Sequence, residues 1–327
     1  MKLTVRQAAA LAGVSPATVS RVLNGAPGIR AETRARVLRV IGGDAVPVKR
    51  RMPEGGVIAL LMPEHYLYGR MFLEQVRRAL GIFGGRWSVR LFAHDVEAWD
   101  FRRRCLRENI SGVVVGGFGC ASPELAEMVA DLPNVWLNSH AAGGAQDVLV
   151  GNEQAGRLAA RYLAETGCRR PALALLPSLN PGFAARCDGF RYECHTRGLV
   201  PAEVRIPAES PLEMLRHAEL AALFAASAAA FHAADGIFVP ECFAVPDLHL
   251  VLRRSAPRRK FPRLVCCVRD ADLLAGLDPV PAVVDLGEEL LIELACQELF
   301  RRIAGTSPDH DRTTIFVSPK LFPPDGK

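Results

Sequence analysis

The sequence predicts an α/β protein in which a small all-helical head precedes two doubly wound α/β subdomains. Three observations carry this reading. From Val57 onward, apolar strand-like runs alternate with helical stretches, the order of a parallel α/β unit. The same plan then repeats, giving two halves. Before Val57 there are only short amphipathic helices, and their charge is unlike that of the rest. Residues 1–52 hold ten Lys/Arg against Glu32 and Asp44, a net +8, whereas residues 53–327 net −3. Such a head suits a polyanion, because Lys and Arg gain affinity by releasing counterions from phosphates. A solvated helical surface would carry the same charge, so charge alone leaves both readings open.

In the head, Val5, Ala8, Ala9, Leu11 and Ala12 have the spacing of a helix's inner face, and Gly13 can take the left-handed cap that ends it. Ser15 can cap a second helix through its hydroxyl, with Pro16 at the first helical position. That helix runs to about Asn24, turns Val19, Val22 and Leu23 inward and leaves Pro16, Ala17, Thr18, Ser20 and Arg21 outside. A third helix is expected over 31–41. Two short helices around a glycine-containing turn, then a third, form a helix-turn-helix module.

In the body, strands are expected at 57–62, 89–93, 112–117, 134–138, 147–151, 171–177, 236–240, 263–268 and 282–285. Helices are expected at 71–81, 99–109, 123–130, 154–167, 183–198, 212–230, 243–254 and 288–303. The domains read as 1–46 for the head, 47–56 for a basic linker and 57–327 for a two-lobed body.

The segment Thr4-Val5, Ala8-Ala9, Ala12-Gly13-Val14-Ser15 and Ala17 to Gly25 resembles the amino-terminal domain of the LacI/GalR family of bacterial transcription regulators. The resemblance implies base-edge contacts from Pro16, Ala17 and Arg21, and backbone phosphates near Thr4, Val5, Ser15, Thr18, Ser20, Asn24 and Thr33. The side chains suit these roles, since Arg can fork onto guanine and the alanine methyl can meet thymine. Gln7 stands where the family commonly has an acid, and Ala8 where it has a larger aliphatic. In the linker only Pro47 of the family's hinge signature survives, no equivalent leucine exists, and Pro53 would stop a helix begun at Val48. No stable hinge helix is expected there, although Lys49, Arg50 and Arg51 can still meet phosphates.

A weaker resemblance continues through Asn152-Glu153-Gln154-Ala155-Gly156 and Arg186-Cys187-Asp188-Gly189-Phe190 and implies a periplasmic-binding-protein-like effector domain. Its ligand would sit between lobes, outside the strand carboxyl ends. Carried over by position, Asn138, Arg186, Glu241 and Arg269 would line that site, with Arg186 and Arg269 projecting from strand-end loops. Two arginines would suit an anion. Arg269 can equally pair with Asp270 on a solvated loop. The effector is expected to be sugar-related or anionic.

Nothing catalytic stands out. The nine cysteines are scattered, with no C-x-x-C pair, and read as reduced buried thiols. The histidines show no metal spacing, the serines no G-x-S-x-G elbow, and GVVVGGFG at 112–119 lacks the G-x-G-x-x-G spacing, so no metal and no cofactor are expected. No apolar run reaches about 18 residues and no cleavage site follows the first helix, so no membrane partner is expected and the protein is expected in the cytoplasm. The expected function is a homodimeric, effector-controlled repressor on a double-stranded DNA operator. The competing reading is a cytosolic small-molecule binder or α/β enzyme with a vestigial head, and RRSAPRRK at 253–260 is either a solvated helix end or a second nucleic-acid contact.

Overall fold

A computed structural model of the chain describes residues 5–23, 29–30, 32–33, 36–37, 40, 55–62, 81, 86–116, 123–138, 148–178, 181–210, 216–267, 271–305 and 314–324. They fall into two compact units, residues 1–54 with 300–309, and 55–299 with 310–327.

In the head, α1 (Val5–Ala12) and α2 (Pro16–Leu23) meet around a core of Ala8, Ala9, Ala12, Val19, Val22 and Val37. These small residues let two short helices approach closely. Leu11 departs from the expected inner face and is 65% exposed, because Ala8, Ala9 and Ala12 already fill the stripe that faces α2. Of the third helix expected over 31–41, Glu32, Thr33, Arg36, Val37 and Val40 are helical, and its other positions lie outside the described residues.

The larger unit contains two six-stranded sheets. The strands, in chain order, are β1 (Gly55–Met62), β2 (Arg86–Ala93), β3 (Ile110–Gly116), β4 (Asn134–Leu137), β5 (Val148–Val150), β6 (Pro171–Leu175), β7 (Ala202–Arg205), β8 (Gly236–Val239), β9 (Arg263–Cys267), β10 (Ala282–Asp285), β11 (Ile315–Val317) and β12 (Lys320–Phe322). The first sheet runs β11-β5-β4-β3-β1-β2 and the second β12-β10-β9-β8-β6-β7. All pairs are parallel except β10 with β12. Central strands such as β6 and β8 are buried at every position, which is why each reads as an unbroken apolar run. β1 begins at Gly55, two residues inside the span read as linker, and the rest of that span lies outside the described residues.

The helices are α3 (Ala98–Arg107), α4 (Pro123–Val129), α5 (Asn152–Glu165), α6 (Pro181–Thr196), α7 (His217–Ala226), α8 (Ala228–Ala233), α9 (Val245–Ser255), α10 (Ala271–Leu274) and α11 (Glu288–Ala304). Residues 71–80 lie outside the described residues. The single helix expected over 212–230 is two, broken at Ser227, where Phe224 and Phe231 turn back on each other edge to face at 5.9 Å. Three short strands, β7, β11 and β12, were not expected. The chain passes from the first sheet to the second between β5 and α5 and again between β11 and β12.

Helices α5 and α6 cross at glycines. A methyl on Gly156 would overlap the Arg186 carbonyl oxygen, and one on Gly189 would overlap that of Glu153. Both obstacles are backbone and cannot rotate away. Gly189→Ala should therefore destabilise the larger unit by about 1–3 kcal/mol, as overpacking does. Denaturant unfolding measures this, and an unchanged midpoint would show that the helices separate freely.

Candidate nucleic-acid interface and buried polar cluster

The turn between α1 and α2 closes as a Schellman motif, with Gly13 at φ +62°. The Gly13 N–H donates to the Ala10 carbonyl at 3.3 Å, and the Val14 N–H to that of Ala9 at 3.0 Å. Ser15 then caps α2, its Oγ accepting the Thr18 N–H at 3.0 Å and sharing a hydroxyl bond with Thr18 Oγ1 at 2.9 Å. Both hydroxyls read from sequence as phosphate contacts thus also fix the start of α2. Pro16, Ala17 and Arg21 are exposed, Thr18 and Ser20 half-exposed, and Val19 and Val22 buried. One face of α2 is therefore solvent-exposed while the other anchors it. Thr33 is helical and half-exposed; Val5 opens α1. Thr4, Asn24, Lys49, Arg50 and Arg51 lie outside the described residues.

The second cluster lies at the carboxyl edge of the second sheet. Arg186, on the first half of α6, is 1% exposed, and Glu241, two residues beyond β8, is 7% exposed. Arg186 Nη1 donates to Glu241 Oε1 at 2.9 Å and to the Pro240 carbonyl at 2.8 Å, and Nε donates to Asn152 Oδ1 at 2.9 Å. The structure brings Arg186 and Glu241 together, but as partners of each other. Arg186 comes from a helix instead of the expected strand-end loop, and its charge is met by the protein itself. Asn138, at the end of β4, is buried with φ +52°, and its N–H donates to the Val148 carbonyl at 2.8 Å. Arg269 lies outside the described residues.

Two contributors were missed in the sequence. Asn152 starts α5, so its amide sits where α5 approaches α6; its place in the resembling segment was the available signal. Glu288, at the start of α11, belongs to the same electrostatic group. It keeps some surface open to solvent yet is crowded by protein on most sides. That burial pushes its carboxyl above the usual 4.5; Arg186 pulls the other way, and Glu241 and Asp285 add to the rise. Burial likewise pushes the Cys267 and Cys187 thiols up to about 12, so both are inert neutral walls. All eight described cysteines are free and buried. Alongside, Phe183, Cys187, Arg191 and Arg205 help line a cavity of about 390 Å³ at the carboxyl ends of β6 and β7.

Residues 4–42 match the family model of bacterial regulatory proteins, lacI family. The head is thus similar to the DNA-binding domain of that family. The chain is 52% identical over 58 residues to the HTH-type transcriptional regulator MalR of Streptomyces coelicolor, covering 17% of each chain. It is 30% identical over 187 residues to the HTH-type regulator AglR of Rhizobium meliloti, covering 53% of this chain and 52% of that one. The matches thus span about half or less of these regulators' own lengths. The solved complex of the transcriptional regulator CelR with cellobiose shares the fold with a TM-score of 0.64 at 22% identity, covering 98% of both chains. The body accordingly has a periplasmic-binding-protein-like fold. Among its described residues no helix is long and apolar enough to cross a membrane.

Two outcomes follow from the buried cluster. Glu241→Ala removes the carboxylate 2.9 Å from the buried Arg186 guanidinium and should cost about 3–5 kcal/mol; calorimetric melting reads it, and a loss below 1 kcal/mol would mean that other groups or water take over the pairing. For Glu288 the folded state holds its proton more tightly than the unfolded chain. Its contribution is therefore most favourable below 4.5 and is lost as pH rises through the interval up to its raised value. Glu288→Gln should raise the melting temperature at pH 7 and leave it little changed near pH 4, and equal effects at both pH values would contradict the assignment.

Proposed function

We infer that the protein is a sequence-specific DNA-binding transcriptional regulator, acting as a repressor, whose hold on an operator responds to a small-molecule effector. The observation that carries this reading is the exposed face of Pro16, Ala17, Ser20 and Arg21 on a helix capped by Ser15, in a segment, residues 1–52, with a net charge of +8. Such a helix enters the major groove, where Arg21 can fork onto guanine O6 and N7 and Ala17 can touch a thymine methyl. The match to the LacI family over residues 4–42 supports it. An intact Schellman turn and N-cap argue against a vestigial head, because both serve only to hold α2 in place.

Two heads read two half-sites, so the working unit is a homodimer in the cytoplasm with its operator. Residues 1–46 form the reading head, 47–56 the basic tether without a hinge helix, and 57–327 the sensing body. The effector belongs at the carboxyl edge of the second sheet, beside Arg186 and Glu241, and Asn138 and Arg269 are proposed as further contacts by their place in the sequence. Of the two effector classes, a neutral sugar-like molecule is favoured. Glu241 already neutralises Arg186, and Glu288 adds negative charge, leaving donors and acceptors for hydroxyls but no uncompensated cation among the described members of the cluster. The cellobiose bound in the CelR complex belongs to that class.

Arg21→Ala should weaken operator binding by about 1–3 kcal/mol and relax preference at one base pair. Equal losses on operator and random duplexes in fluorescence anisotropy would remove Arg21 from base reading. Titration calorimetry with neutral sugars and small carboxylates should give heat with the sugars; tight binding of carboxylates alone would reverse the effector assignment.

A further inference from the structure

The opposite edge of the second sheet carries a constellation that the regulator reading leaves unused. The segments just before β6, β8, β9 and β10, with the end of β12, enclose a cavity of about 910 Å³, a size that accommodates small molecules. Ligands of open α/β sheets ordinarily collect at the carboxyl edge, and here the Arg186 cluster stands there. Strands β8 and β9 separate the two places by their own length, roughly 15 Å at ~3.3 Å per residue.

The lining is basic. Arg170, Arg259, Lys260 and Arg263 face Asp235 and Asp278, and both acids are engaged. Asp235 accepts the Arg169 N–H at 3.0 and 3.2 Å and the Arg170 N–H at 2.9 Å. Asp278 Oδ2 lies 3.4 Å from Arg253 Nη2. Arg170 reaches Asp235 only at 3.8 Å. Arg259 and Lys260 form no ion pair among the described residues.

A ligand suited to this wall brings negative charge for Arg259 and Lys260. A carboxylate offers a single charge, whereas a phosphate offers up to two charges and three acceptor oxygens for the two cations. Phe261 and Pro279 supply an apolar surface for the remainder.

We propose that this cavity binds a phosphorylated small molecule, its phosphate held by Arg259 and Lys260 and its uncharged part seated against Phe261 and Pro279. Arg fits phosphate oxygens in pairs and Lys adds a mobile point charge. The proposal is independent of the effector at the carboxyl edge.

Titration calorimetry of the full-length protein with pyrophosphate, glucose 6-phosphate, glucose and glucuronate tests it. Pyrophosphate and glucose 6-phosphate should bind, and the double variant Arg259→Gln, Lys260→Gln should lose at least about tenfold in affinity for both, each charge-assisted contact being worth about that much. Binding of glucose, if the carboxyl edge takes it, should be unchanged. Both substituted residues are exposed, and an unaltered melting temperature of the unliganded variant checks the fold. The proposal is overturned if neither phosphate probe gives heat at millimolar concentration, if the double variant binds them as the parent does, or if glucuronate binds as tightly as glucose 6-phosphate. It is equally overturned if the double variant weakens only random duplex DNA, which would make the surface a nucleic-acid contact.

Discussion

A guanidinium that is 1% exposed must be compensated where it lies, and much of the second lobe is arranged around doing so for Arg186. The carboxylate of Glu241 supplies the charge; the Pro240 carbonyl and the Asn152 amide oxygen take further N–H bonds. These partners come from the end of β8 and the start of α5, while the arginine comes from α6. One side chain therefore ties a strand end to two helices. It can do so only because Gly156 and Gly189 let the helices come within backbone contact. The stacking of Phe190 on Phe238 at 4.9 Å extends the same joint into apolar territory. A buried ion pair adds little net stability over an apolar substitute. What this one adds is position, since its geometry is satisfied in a single arrangement.

The head solves a smaller problem with fewer residues. Its core is made of alanines and valines, so packing alone offers limited area to orient α2. Local hydrogen bonds make up the difference at both sides of the turn, with Gly13 ending α1 and Ser15 starting α2. The direction of α2 is thus set by two adjacent caps. A recognition surface benefits from this because its side chains are presented before any partner arrives.

Much of the architecture was legible in the sequence because parallel strands buried on both faces read as unbroken apolar runs; β1, β3, β6, β8 and β9 all fall within a few residues of their expected places. The strands that escaped notice lack that signature. β7 exposes Ala202, Glu203 and Arg205, and β11 and β12 are three residues each, separated by Ser318 and Pro319. The break at Ser227 was invisible because an alanine-rich stretch keeps helical character on both sides of it. At the candidate sites, the face of α2 followed from local spacing and the caps. The pairing of Arg186 with Glu241 did not, since it joins residues far apart in sequence, and nothing local tells a free arginine from a neutralised one. Leu11 shows the same limit on a smaller scale: periodicity placed it inward, but the three alanines had already filled the contact.

The short strands near the end of the sequence have a consequence for synthesis. β11 completes one edge of the first sheet by pairing with β5, and β12 completes one edge of the second by pairing with β10. Residues 315–322 leave the ribosome after every other described strand. Until they do, β5 and β10 each present an unpaired row of backbone amides and carbonyls, the kind of edge that recruits other chains. Neither lobe can seal itself first and wait for the other, because the same eight residues close both. The nascent protein is thus exposed to mispairing at these edges until residues 315–322 emerge, and the two edges then close together.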